Sequence, residues 1–97
     1  MPRMHELKTW PEPFQAVLDE RKHHEVRQLD RAFAVGDVLW LREWDPNAWG
    51  ADAPESNRIG HGRYTGRQLY VTVTYITKGG MFGLPSTICV MSIERSR

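Results

Sequence analysis

Apolar residues follow two rhythms along this chain. Gln68–Thr77 alternates strictly, with Leu69, Val71, Val73 and Tyr75 on one face and Tyr70, Thr72, Thr74 and Ile76 on the other. That period of two predicts a strand rich in β-branched and aromatic residues. Phe14, Val17 and Leu18 instead recur at i, i+3 and i+4, the stripe of an amphipathic helix running to about Lys22. Pro11 and Pro13 must lie in its first turn, where a missing amide hydrogen is tolerated.

Shorter segments fill in around these two. His5–Thr9 predicts a first strand with Leu7 inward and Lys8 on the opposite face. His24, Val26 and Gln28 share one face of a second strand, and Glu25, Arg27 and Leu29 the other. Asp30–Asp37 is a connection ending in a Gly-Asp turn signal. Val38–Trp44 is apolar on both faces, the mark of a central strand, and Asp45-Pro46 terminates it. Lys78–Pro85 is a turn-rich bridge, and Thr87–Glu94 a last, largely buried strand.

Between them, about 46–66, lies a long loop rich in Gly, Asn, Asp, Ser and Pro. Loops of that length in compact domains tend to be functional or disordered, and Trp49, Ile59 and Tyr64 are the residues able to anchor it. A lone indole at Trp49 makes a lid the attractive reading. The tally of about five strands and one sure helix, with no βαβ rhythm and no repeat, predicts an α+β fold: a small, closed or nearly closed β-barrel with one main flanking helix. Closure removes exposed strand edges that so small a protein could ill protect.

Ninety-seven residues are the size of a single domain, spanning 1–97, that buries roughly two-thirds of its unfolded surface. Thirteen Lys and Arg oppose twelve Asp and Glu, so the overall balance does not announce a polyanion partner. The basic residues are uneven, however. Arg21, Lys22, Arg27 and Arg31 gather near His23 and His24, and Arg58, Arg63 and Arg67 surround the later glycines, so two local basic patches are expected. Cys89 is the one cysteine and sits in an apolar run, which predicts a buried inert thiol and fits a reducing compartment. No apolar stretch is long enough to cross a bilayer, and Met1–His5 lacks the apolar core of a signal peptide, so a cytoplasmic location without membrane partners is expected.

The charge run Glu20–Arg27 is the place where chemistry concentrates. On residue types alone a solvated face is its default, since exposed ion pairs contribute little. A metal is not expected: His23 and His24 are adjacent and point to opposite faces, and His5 and His61 lack ligand-spaced neighbours. Gly60-His61-Gly62 is too weak a phosphate-loop match, and no cofactor is expected. Lys22 with Glu25 suits hydrolysis of an amide or ester, where a base takes a proton from water and a cation stabilises the developing oxyanion. Arg27 would orient Glu25 or hold a phosphate or carbonyl. The same three residues equally make a structural ion-pair network. Trp10, Trp44, Trp49 and Tyr64 offer planes on which a base could stack, with Trp44 and Phe33 as core the alternative, and with burial and stacking evenly matched for Trp10.

These residues carry a resemblance. Lys22, Glu25 and Arg27 match the Gly-x-Lys-x-x-Glu-x-Arg motif of the ASCH family of PUA-like domains, with Glu20 in place of the glycine. The chain looks like a bacterial and phage subfamily, on His5-Glu6-Leu7-Lys8, Pro13-Phe14, Asp30-Arg31-Ala32-Phe33, Val35-Gly36-Asp37, Tyr64-Thr65-Gly66 and Cys89-Val90-Met91-Ser92-Ile93. The resemblance implies a PUA-like barrel with a motif-lined cleft between helix and barrel, and a role with RNA or modified nucleosides. Some small ASCH proteins are amidohydrolases that deacylate N4-acylated cytidine with a lysine, a threonine and a glutamate. Lys22 corresponds to their lysine, but Glu25 stands at the threonine position, so water activated by Glu25 is the expected nucleophile. Lys22 and Glu25 are then the expected catalytic pair, with Lys8, Trp10, Arg27 and Tyr64 binding substrate. A non-catalytic RNA-binding module, weakened by Arg27→Ala or Arg63→Ala, is the alternative.

Overall fold

A computed structural model describes residues 1–48 and 62–96. Among the described residues, five strands and one helix run in the order β1 (Met4–Thr9), α1 (Pro11–Leu18), β2 (His24–Gln28), β3 (Val38–Asp45), β4 (Arg63–Lys78) and β5 (Ile88–Arg95). The strands form one sheet in the order β1-β3-β4-β5-β2, antiparallel except for the β1–β3 pair. The sheet curls into a half-barrel. β1 and β2, last in the sheet order at either end, pair with β3 and β5 respectively and leave a seam between them. A small α+β barrel-like fold is therefore present, with the closure left incomplete.

The core lies in the concavity, under the helix. Leu39 and Leu41 of β3, Leu69, Val71 and Val73 of β4, and Cys89, Met91 and Ile93 of β5 point inward and meet Leu7 of β1 and Phe14 and Val17 of α1. The strict alternation of β4 is thus the period of a strand with one dry face. β3 lies between two neighbours, as its sequence predicts. Its outward apolar residues, Trp40 and Trp44, are only partly buried, so Trp44 is not core. Phe33 packs at the core's margin against His5, with ring centroids 4.8 Å apart.

Two boundaries differ from expectation, each for a local reason. Strand β4 begins at Arg63, so 63–66 belong to the sheet rather than to a loop. Periodicity hides this because β4 bulges there. Its residues advance from Tyr64 to Gln68 while β3 moves only from Trp44 to Arg42, and Gly66 in the bulge takes φ +95°. Second, α1 stops at Leu18 instead of near Lys22. Glu20 adopts a left-handed φ of 62°, and its amide donates to the Val17 carbonyl while the Arg21 amide donates to that of Ala16. This is a Schellman ending, built on glutamate where glycine is usual. The expected lid residue Trp49, together with Arg58, Ile59 and His61, lies outside the described residues.

The 30–37 connection is tied to β1 through a buried carboxylate. Asp37 accepts from the Arg3 and Ala34 amides, each at 3.0 Å, and lies 2.8 Å from His5 Nε2. Burial pushes its pKa upward, but bonds from Arg3, His5 and Ala34 together hold it below the ordinary carboxylate value.

Candidate functional site

Strand β2 reverses the usual sense of a barrel strand. Its inward residue is Glu25, 3% exposed, whereas Val26 is 52% exposed on the outside. A carboxylate in the concavity needs cations and donors, and the local fold supplies them. The Schellman turn after α1 redirects the chain so that Lys22 follows directly beside β2, where its Nζ donates to Glu25 Oε1 at 2.8 Å and to the His24 carbonyl. Arg27, two residues on and therefore on the same strand face, donates from Nε to Glu25 Oε2 at 3.0 Å.

Arg27 also spans the seam. Its Nη1 donates to the Lys8 carbonyl at 3.0 Å and its Nη2 to the Thr9 hydroxyl at 3.1 Å, both on β1. Arg31 repeats the motion further along, donating to the Glu6 carbonyl at 3.4 Å. Two arginines thus bond alternate carbonyls on the open edge of β1, where β2 would pair in a closed barrel.

Around this bridge the seam opens into two adjoining clefts that share Lys8, Val26 and Arg27. One, of about 350 Å³, is lined by Lys22, Glu25, Thr9, Trp10 and Pro13. The other, of about 580 Å³, runs past Glu6, Gln28, Phe33 and Tyr64. Lys8, Trp10, Lys22, Glu25 and Arg27 therefore meet in the smaller cleft, and Tyr64 lies in the larger, beyond the Arg27 bridge. Trp10 is 57% exposed, so of its two readings burial is ruled out. The histidines His23 and His24 are exposed. Among the described residues no group of three or more His, Cys, Asp or Glu side chains comes together as a metal site would need. No described helix is long and apolar enough to cross a membrane.

The basic patches are less free than residue types imply. Arg21 pairs with Asp19 at 3.3 Å, Arg31 with Asp30 at 3.2 Å, and Arg67 with Glu43 at 2.8 Å. Lys22 and Arg27 share Glu25.

Several residues of this region went unnoticed in the sequence. Thr9 is buried and receives Arg27. Glu43, 4% exposed, lies opposite Thr9 in the β1–β3 register, accepts from Thr65 at 2.6 Å and takes Arg67 Nε at 2.9 Å and Nη2 at 2.8 Å. The Arg67 bonds, with the Thr65 hydroxyl, hold Glu43 below the ordinary carboxylate pKa against the opposing effect of burial, and the same pairing raises Arg67. The signal for Glu43 was available: it follows Leu39 and Leu41 at period two, so alternation puts it inside.

Fold and groove together define a small α+β domain, a curled five-stranded sheet with a helix over its concavity and an open seam bridged by ion-paired side chains. The chain belongs to the DUF3850 family, described as a domain of unknown function, which it matches over residues 4–93. It is 31% identical over 77 residues, 79% of its length, to the "Uncharacterized 12.9 kDa protein in GpA 3'region" of Escherichia phage P2. The match covers 57% of that relative, so the chain spans little more than half of the phage protein.

Proposed function

We propose that the chain is a PUA-like, ASCH-type domain that hydrolyses the exocyclic amide of N4-acylated cytidine or a related modified nucleoside. One observation carries the reading: the Lys22 ammonium and the Glu25 carboxylate lie 2.8 Å apart on the lining of a cleft of about 350 Å³ that Trp10 borders. That volume is within the range of small-molecule pockets, and an exposed indole beside it offers a face for a pyrimidine. The left-handed φ of 62° at Glu20 also supports the ASCH resemblance, since the motif has glycine at that position.

In this mechanism water attacks the acyl carbon while Glu25 accepts its proton through a lone pair not used by Lys22 or Arg27. Lys22 donates to the carbonyl oxygen as it becomes an oxyanion. Collapse breaks the bond to N4, Glu25 returns the proton to the departing aromatic amine, and the products are a carboxylic acid and cytidine. Arg27 holds the Glu25 carboxylate in place, which makes it a positioning residue. Lys8 and Trp10 hold the nucleoside, and Tyr64 stands further along the seam.

Incubation with N4-acetylcytidine should remove the acyl-cytidine ultraviolet band, and Lys22→Ala should leave the band intact. A flat trace from protein with a normal circular dichroism spectrum overturns the reading. The second reading, a non-catalytic RNA-binding module, is favoured by the exposure of Trp10. It predicts salt-dependent RNA affinity that Arg27→Ala weakens, and undetectable binding at low salt removes it.

A further inference from the structure

The outer face of β1, β3 and β4 is built differently from the rest of the surface. Because Leu39, Leu41, Leu69 and Val71 point inward, alternation turns Trp40, Arg42 and Trp44 of β3 and Gln68 and Tyr70 of β4 outward, with Glu6 and Lys8 of β1 beside them. The register aligns them in rows across the strands: Glu6, Trp40 and Tyr70 form one, Lys8, Arg42 and Gln68 the next, and Trp44 and Tyr64 the last. Rings and cations are interleaved. Trp40 and Tyr70 lie within 14° of parallel with centroids 6.2 Å apart. The Arg42 guanidinium sits 3.9 Å from the Tyr64 ring centre and 5.1 Å from that of Trp40, and Lys8 Nζ lies 4.2 Å over Trp44.

We infer that this face binds single-stranded nucleic acid, with bases stacking on the Trp40–Tyr70 pair and on Tyr64 and with phosphates taken by Arg42 and Lys8. Sheet faces bearing aromatics are a general solution for splayed bases, because every base has a π-face and the stacking is tolerant of sequence. A protein partner is the competing occupant, because Trp, Tyr and Arg are also enriched at protein interfaces, and the binding measurement below decides between them. The face is also continuous with the seam. Lys8 and Tyr64 belong to both, so a strand lying on the rings leads directly to the cleft lining. Glu6 is the one opposing charge in these rows; it holds Arg42 Nη1 at 2.7 Å, and a phosphate would compete with it. The inference does not depend on the hydrolytic reading of the cleft.

The test is fluorescence anisotropy of the full chain with a labelled oligouridylate of about ten nucleotides, a length within the site size of single-strand binders. Binding should weaken with salt. Tyr70→Leu, which keeps apolar bulk without the ring, should weaken it roughly tenfold, whereas Tyr70→Phe should retain it, as stacking at about 1–3 kcal/mol per base requires. Trp40→Ala should act like Tyr70→Leu. Glu6→Gln should tighten binding by releasing Arg42, the opposite of what a basic peptide on the same face would show. Affinity unchanged in Tyr70→Leu and Trp40→Ala overturns the inference, as does weaker binding in Glu6→Gln. The hydrolysis assay on free nucleoside reports separately on the cleft.

Discussion

Arg27 donates from Nη1 to the main-chain oxygen of Lys8 at 3.0 Å, and this bond joins the two strands that stand furthest apart in the sheet order. Backbone pairing would close a barrel at this point, but here a side chain does it. The guanidinium is suited to the task because its fixed fork can hold Glu25 with Nε while both terminal nitrogens reach across the seam. The same atoms that organise the candidate site therefore also hold the half-barrel's edges together.

Removing Arg27 should consequently be costly, and removing its partner with it less so. Arg27→Met leaves a carboxylate that is 3% exposed with Lys22 alone, and the expected loss is about 3 kcal/mol, the scale for breaking one side of a buried pair. In Glu25→Gln/Arg27→Met no buried carboxylate is left short of its cations, and Lys22, which is partly exposed, keeps its bond to the His24 carbonyl, so the double variant should lose less than the sum of the two single losses. Urea denaturation of the four proteins measures this directly, and strict additivity would show that the pair is not coupled.

A gain is expected one turn earlier. Glu20 occupies the left-handed position of a Schellman ending at φ 62°, where a Cβ costs roughly 1–2 kcal/mol. Glu20→Gly should recover about 1 kcal/mol of this, visible as a rise in Tm of roughly 4–8 °C for a domain of this size. An unchanged or lower Tm would mean that Glu20's side chain makes up the difference.

How much of this was readable in the chain depended on whether local pattern or tertiary pairing decided the outcome. Leu69, Val71 and Val73 announced β4 because one dry face imposes period two. Tyr64 and Gly66 did not announce its beginning, because a bulge breaks the period and the strand there is held by pairing to Trp44 and Asp45. Glu25 and Arg27 were correctly placed on one face of β2, yet their inward direction was invisible: charge on a strand normally means solvent, and only the seam explains Glu25 inside and Val26 out. Spacing brought Lys22 near Glu25, but nothing local joined Arg27 to Thr9, eighteen residues away.

Cys89 gives a probe of how the sheet opens. It has no exposed surface, and burial raises its thiol pKa, although a backbone bond from Arg27 acts the other way. The lack of exposure and the raised pKa both suppress the reactive thiolate. A thiol reagent should therefore modify the native protein only through opening, with a rate that rises with urea in step with unfolding. Rapid modification without denaturant would show that β5 separates from β2 in the native state.

Acid should unfold the protein through two carboxylates far apart in the fold. Asp37 and Glu43 have folded-state pKa values below their ordinary 3.8 and 4.5, the first because amide and His5 bonds outweigh burial, the second mainly through Arg67. A depressed carboxylate binds its proton more weakly when folded than when unfolded, so its contribution is complete above the unfolded value and is lost as pH falls through the folded one. Stability should thus decline progressively below about pH 4.5, and protonating Asp37 should first release the 30–37 connection from β1. In Asp37→Asn the acid-side slope of the unfolding free energy should flatten while stability at neutral pH falls, and in Glu43→Gln likewise. Equal acid slopes in wild type and both variants, followed by urea titration at stepped pH, would assign the acid sensitivity to other carboxylates.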